Sequence, residues 1–519
     1  MADTRRKAMR GRLRLPLTGS VALLAMSVTP ASHAEWRFAP TVELKETYSD
    51  NVALARDELA RAQFISEVAP GFVLSDNSPS LKLRASYQLH YFSFSDKELA
   101  GTRNSQSQLN ADAKASLIDE LLYLDSSAMI GQQPISAFAQ QSNNNGYTDV
   151  NRANVKSYRI SPYLKHRFDT EAVSELRYTH DMVDAGTSGL GRTSGDLLAL
   201  SLSSGPAFRR FNWSASLTRQ KLSNTLAPES TTDQAGLNLS YALSSTFSLT
   251  TSVGHDKYDY QALGGTTSGK SWTVGFHWTP TARTSLQLSA GKRYYGSTYA
   301  LTATHHSRNS VWSVNYNDEV TNTRSQFLLP ATVDTAGLLD RLFSATIADP
   351  VARALAVDAY MRATGLPVSL ADNINYFSNR FILQKRFQAS VAFNTARSTL
   401  LLSLSDTKRN ALSAVQTDSG LLGPSQSTLN DDTHQIGATG MANWQMTGRS
   451  ALSLSANAAR IESVSTGIVD HTRAVRLNVT RQFQTKVKGS VELRRVYGTI
   501  QGSNEYHENA VAASLSVQL

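Results

Sequence analysis

Cysteine is absent from all 519 residues, so no disulfide and no thiolate–metal bond holds this chain, and its stability rests on burial and backbone pairing. No Pro/Gly-rich linker and no shift in composition divides it, which excludes a string of small, separately folded domains. Beyond the first thirty-odd residues no uninterrupted apolar run reaches the roughly eighteen residues a transmembrane helix needs. Nor does a dense Lys/Arg stretch with interleaved aromatics occur, so a nucleic-acid partner is excluded. Gly-rich phosphate loops and a nucleophile-elbow serine are likewise missing.

The apparent basic balance has a local source. The whole chain carries 51 Lys+Arg and 42 Asp+Glu. Six of the basic residues (Arg5, Arg6, Lys7, Arg10, Arg12, Arg14) and one acid, Asp3, fall in the first 34 positions, leaving 45 against 41. That opening stretch continues with the apolar run Leu17–Val28 and with Ser32 and Ala34 at −3 and −1 of a cut after Ala34. A charged start, a short apolar core and a small-residue site predict a secretory signal peptide over 1–34. An exported chain with no disulfide and no spanning helix leaves one membrane solution open, a closed barrel.

What the sequence has in abundance is alternation. SLKLRASYQLHYF (Ser80–Phe92) puts Leu81, Leu83, Ala85, Tyr87, Leu89 and Tyr91 on one face and Lys82, Arg84, Ser86, Gln88 and His90 on the other. SWTVGFHWTP, RAVRLNVTRQF and VKGSVELRRVY repeat the pattern, and AVAASLSVQL carries it to Leu519. Period-two alternation over nine to fourteen residues predicts strands that are apolar on one side only. Short turns recur as an imperfect repeat at Thr281–Thr284, Thr395–Ser398 and Thr447–Ser450, each after an aromatic-bearing strand end. Polar loops alternate with them at 135–152, 183–194, 224–233, 261–268, 410–430 and 500–507. The pattern predicts an all-β, transmembrane antiparallel β-barrel over residues 35–519, with about 22 strands (range 18–26), short periplasmic turns and long outer loops. Both ends of the barrel fall on the short-turn rim, and the last strand is expected to pair with the first.

Three expectations are more local. In 377–393 the apolar parity includes Lys385, which suggests a bulge or a different register. An insert over 324–376 breaks the pattern: Leu338, Leu339, Leu342 and Phe343 recur at helical spacing, Asp349-Pro350 reads as a helix start, and Gly365-Leu366-Pro367 as a stop. It is either a stabilising loop hairpin or a plug for the pore. Aromatics form two girdles: Trp36, Phe38, Phe168, Phe211, Trp278, Trp444 and Phe483 near the short turns, and Tyr48, Tyr91, Phe92, Tyr258, Tyr294, Tyr295 and Tyr497 toward the long loops.

Three stretches carry a family likeness: ETYSDNVAL (Glu46–Leu54), WTPTARTSLQLSAGKRYYGSTYAL (Trp278–Leu301) and VWSVNYNDEVTNTRSQFLLP (Val311–Pro330). With the helical insert they resemble the PEP-CTERM system-associated outer-membrane proteins of Gram-negative bacteria, which occur beside exopolysaccharide biosynthesis and exosortase genes. The resemblance implies a barrel in the cell outer membrane with a link to exopolysaccharide export, and it supplies no catalytic residues. The aromatic that commonly ends the assembly signal of such barrels is replaced here by Leu519.

Candidate chemistry falls in several places. His305-His306 points to opposite strand faces and suits rim histidines better than a metal site. Asp431-Asp432 and Asp318-Glu319 read as rim charges or as divalent-cation contacts near lipopolysaccharide. Glu492 could face another carboxylate across the pore, as in a glycosidase. The informative set is the candidate lumen lining: Lys82, Arg84, His90, Arg476, Lys488, Glu492 and Arg494. A basic lining attracts anionic solutes or acidic sugars, and internal salt bridges are the competing explanation.

The leading expectation is therefore a non-enzymatic outer-membrane barrel without cofactor that passes or guides exopolysaccharide or another polar, anionic solute. A plugged receptor or adhesin acting through its outer loops is the alternative, and an outer-membrane hydrolase a weaker one. Expected partners are outer-membrane lipid and lipopolysaccharide, barrel-assembly machinery during insertion, and exopolysaccharide export components.

Overall fold

A computed structural model describes residues 36–519 apart from 97–103, 142–150, 186–190, 226–227, 261–262, 264–266, 329–338, 341–379, 414–427 and 431. The expected signal peptide at 1–34 and most of the 324–376 insert lie outside the described residues.

Twenty-two antiparallel strands run from β1 (Arg37–Ser49) to β22 (Asn504–Gln518), each paired with the next in the chain. The sheet closes because β22 pairs back onto β1: Val517 faces Val42, Leu515 faces Leu44 and Val511 faces Tyr48. The Leu519 N–H donates to the Pro40 carbonyl at 2.8 Å. Closure leaves no unpaired edge, which is the condition for burying backbone in hydrocarbon. Strand spacing and the usual tilt give a backbone diameter of about 40 Å.

Cross-strand partners share a face, so the register settles which way every side chain points. Along β12 (Ser268–Thr281), Trp272, Val274, Phe276 and Trp278 point outward. Their partners on β11 (Phe247–Asp259) are Val253, Thr251, Leu249 and Phe247. Val274 and Val253 are more than half exposed, and Leu404, Leu493 and Leu217 are comparably bare. Each such side chain would gain about 1.5–3 kcal/mol on leaving water. The barrel is apolar on its outside and polar within, and it spans a membrane.

The repeated turns gain a physical reason. The Thr281 hydroxyl accepts the Arg283 N–H at 3.2 Å and the Thr447 hydroxyl accepts the Arg449 N–H at 3.2 Å. In the third copy the Thr395 hydroxyl accepts the Ser398 N–H at 2.9 Å. A threonine side chain thus closes each hairpin locally. At two of them the register also shifts, between Trp278 and Thr281 and between Gln445 and Thr447.

Four details differ from the sequence expectation. No bulge marks Lys385: β16 (Ile382–Asn394) pairs without a shift with both β15 (Ser310–Thr321) and β17 (Ser398–Ala411). Lys385 simply points outward near the long-loop rim, level with Asp318 and Lys408. The stretch 500–507 is no long loop; a three-residue turn joins β21 (Val487–Ile500) to β22, with Gln501 and Gly502 at positive φ. Phe92 and Tyr258 belong to no lipid-facing girdle, since both face the interior and are buried. Finally, a loop missed in the sequence, between β1 and β2 (Gln63–Asn77), folds inward.

Candidate functional site

The register turns all seven candidate residues to the inner face. They occupy one sector of wall, from β20 (Val469–Gln484) through the seam to β3 (Leu81–Phe94). On β3, Lys82 faces Lys114 and Arg84 faces Asp112 of β4 (Ser105–Ile118). Higher on the same strand, His90 Nδ1 meets Glu67 Oε1 at 2.5 Å. Across the seam, Arg476 lies opposite Arg494, and Glu492 lies opposite Asn478. Lys488 sits opposite Ser516, which in turn faces Glu43 of β1.

Acids that the sequence reading did not collect neutralise much of this lining. Arg494 donates from Nη2 to Glu508 Oε1 at 2.9 Å and from Nε to Glu508 Oε2 at 3.1 Å. Its Nη1 reaches Glu492 Oε1 at 3.3 Å, and Ser49 of β1 donates to Glu508 Oε1 at 2.7 Å. The Arg494 and Glu508 side chains are 3% and 0% exposed, so this cluster is structural: it ties β21, β22 and β1 together at the closing seam. For Glu492, the described residues give no support to a carboxylate pair working on sugar across the pore. Glu492 is bound to a guanidinium on its own strand, and the far wall stands about 40 Å away.

The other pairs weighed in the sequence separate as well. Asp318 points outward and Glu319 inward, opposite Lys385 and Gln384, so they cannot share one cation. His305 meets Thr284 Oγ1 at 2.9 Å on the outer face while His306 turns inward. Asp431 lies outside the described residues, and Asp432 accepts the Ala411 N–H at 2.9 Å. Among the described residues, no group of three or more His, Asp or Glu converges as a metal site would.

More telling is what enters the mouth from the long-loop side. The loop after β5 (Leu122–Pro134) places Phe138 against Leu429 and Ile461, and the Gln141 N–H donates to the Tyr506 hydroxyl of β22 at 3.1 Å. Gly498, opposite Tyr506 on β21, leaves the space that ring fills; a Cβ there would overlap the phenol. The loop after β1 puts Leu54 against Ala474, Val496 and Tyr506.

A third contact comes from the start of the insert, the short helix α1 (Thr323–Leu328). Its Arg324 pairs with buried Asp181 of β7 (Ala172–Asp184), the guanidinium lying in the space that Gly195 of β8 (Arg192–Ser204) leaves open. Arg159 of β6 (Arg152–Phe168) adds a bond to the Leu328 carbonyl at 3.2 Å. Burial pushes the Arg324 pKa down, and the Asp181 carboxylate offsets part of that. Higher still, the Leu263 N–H donates to the Leu412 carbonyl at 3.1 Å, joining the loop after β11 to the loop after β17. Tyr260 stacks on Phe381 with ring centroids 4.8 Å apart, and Tyr294 packs beside them.

No family model matches the chain, and no curated protein matches it. Among solved structures it is similar to the siderophore receptor PirA from Acinetobacter baumannii, at 9% identity and a TM-score of 0.48, over 93% of this chain and 80% of that one. It is similar to the FrpB iron transporter from Neisseria meningitidis at 10% identity and 0.48, over 93% and 82%. The ferric-catecholate import receptor Fiu from E. coli K12 gives 8% and 0.48, over 94% and 82%.

Proposed function

We propose that this chain is an integral barrel of the Gram-negative outer membrane that works as a receptor-type conduit. In this reading its outer loops bind an external ligand and move aside to admit a polar solute to the lumen. It catalyses no reaction. The observation that supports it is the set of loop ties inside the mouth: Gln141 to Tyr506, Leu54 against the β20–β22 wall, and Arg324 to Asp181. A freely open pore has no need of a buried ion pair that draws a loop inward. A second reading, steady passage of a polar or anionic polymer, draws support from the inward-facing Lys82, Arg84, Lys488 and hydroxyl-rich wall. The likeness to exopolysaccharide-linked proteins makes an acidic exopolysaccharide the first solute to test, with export components as partners.

Conductance across a planar bilayer separates the two readings. The receptor reading expects the wild-type barrel to be silent or to flicker. Asp181→Ala, which releases Arg324, should open it for sustained intervals. A wild-type barrel that conducts steadily and is unchanged by Asp181→Ala would overturn the receptor reading in favour of the open conduit.

A further inference from the structure

The outer surface departs from a plain apolar belt in one sector, β9 (Phe211–Asn224) to β13 (Thr284–Arg293), at its long-loop edge. Ascending the outward face of β12, Trp278, Phe276, Val274 and Trp272 give way to Lys270. On β11 the outward series Leu249, Thr251, Val253 ends in His255 and Lys257, and on β13 Leu286, Leu288, Ala290 ends in Lys292. His255 lies directly opposite Lys270, and Lys292 directly opposite Trp272. Lys257, Lys270 and Lys292 are therefore successive diagonal neighbours, on the order of 7–8 Å apart at the backbone.

All three lysines are exposed, and no carboxylate stands between them, although exposed Asp259 follows Lys257 on the same outward face. The nearest acid by pairing, Asp233 of β10 (Ser230–Ala242), faces Lys257 from the other side, where it also meets Arg219 at 3.6 Å. Lys270 and Lys292 have no carboxylate directly opposite them, so an anion seated between these two would relieve their mutual repulsion.

A second feature adjoins it. A groove on the outer wall is lined by Leu176, Leu198, Leu200 and Leu217, and its upper end is framed by Arg219, Asp233 and His255. Ala235, a small residue between outward Leu217 and His255, makes the depression. An apolar channel at the depth of acyl chains, ending beneath a cluster of cations at the depth of headgroups, has the two-part chemistry of a lipid site. The long-loop rim faces the cell exterior in such barrels. We infer that this sector binds one outer-leaflet glycolipid carrying phosphate on its sugar headgroup. Its phosphates would sit among Lys257, Lys270, Lys292 and His255, with an acyl chain in the leucine groove. The inference rests on the membrane orientation of the barrel and is independent of what crosses the lumen.

Native mass spectrometry of the full chain in mild detergent tests it. Three probes are titrated: bisphosphorylated lipid A, the same glycolipid without phosphates, and phosphatidylcholine. The expected result is one retained equivalent of the bisphosphorylated lipid, with at least tenfold weaker binding of the other two. Lys270→Gln with Lys292→Gln should weaken the phosphorylated lipid at least tenfold, whereas Lys408→Gln, an outward lysine four strands beyond β13, should not. Lys270→Arg with Lys292→Arg should restore binding, which guards against loss through misfolding. Equal binding of all three lipids, or an unchanged affinity in the glutamine pair, would overturn the assignment.

Discussion

Removing the Glu508 carboxylate should be among the most damaging single changes at the closing seam. The side chains of Arg494 and Glu508 are 3% and 0% exposed, and two of the guanidinium's bonds go to Glu508, at 2.9 and 3.1 Å. Glu508→Ala strips the buried guanidinium of both these bonds, while its longer 3.3 Å contact to Glu492 stays. Breaking one side of a buried ion pair costs about 3–5 kcal/mol. The lost Ser49 bond adds about 1 kcal/mol across the β22–β1 junction. The folding equilibrium should therefore shift by a factor of roughly a thousand to ten thousand or more. Urea titration of the full barrel in detergent micelles, read by heat-modifiable gel migration, measures this. The decisive control is Arg494→Leu with Glu508→Leu, which removes both charges and keeps apolar volume. It should recover to within about 1–2 kcal/mol of wild type. If the double variant were as unstable as Glu508→Ala, or the single variant cost under about 1 kcal/mol, the attribution to an uncompensated charge would fail.

The remaining expectations concern the two faces and the rim. Val274→Arg, on the outer face of β12, should cost about 2–4 kcal/mol in refolding into lipid bilayers, whereas Thr273→Arg, one residue away and inward, should cost about 1 kcal/mol or less. Gly195→Val should displace the Arg324 guanidinium and make the chain near residue 328 newly susceptible to added protease, with barrel stability little changed. Burial pushes the pKa values of Tyr260, Tyr294 and Tyr295 up from their ordinary 10. Ultraviolet titration should find these phenols still neutral after exposed tyrosines ionise. Because the folded state holds the proton more tightly, their stabilising contribution is complete below about pH 10 and is lost as pH rises through the folded pKa values.

The strand framework could be read directly because a strand buried on one side writes its orientation into every second residue. RAVRLNVTRQF carries the inward Arg476 and Asn478 and the outward Val475 and Leu477 in plain alternation. The exceptions were informative. Lys385 broke the apolar parity without bending the strand, since it stands near the long-loop rim, where an outward lysine meets headgroups and water. Phe92 and Tyr258 looked like girdle residues by type, yet both sit on the polar parity of their strands, and parity outranks residue type. The candidate lining was legible in direction, whereas its charge balance was not. Glu508, Glu67 and Glu43 lie on other strands, and only the register reveals which acid meets which base.

The loop ties were illegible for a different reason. Gln141 and Tyr506 are separated by 365 positions, and neither alternation nor composition links them. What the sequence did hold were their counterparts in the wall: Gly498 and Gly195 occupy inward positions where a side chain would block the Tyr506 ring and the Arg324 guanidinium. Other inward glycines, Gly275 and Gly291 among them, sit where a Cβ would strike the backbone of the adjacent strand. At Gly498 and Gly195 a Cβ would instead strike a side chain, the Tyr506 phenol or the Arg324 guanidinium. Two such vacancies, each filled by a residue that holds an inward-folded loop, argue that the wall and the loops of the mouth are fitted to one another.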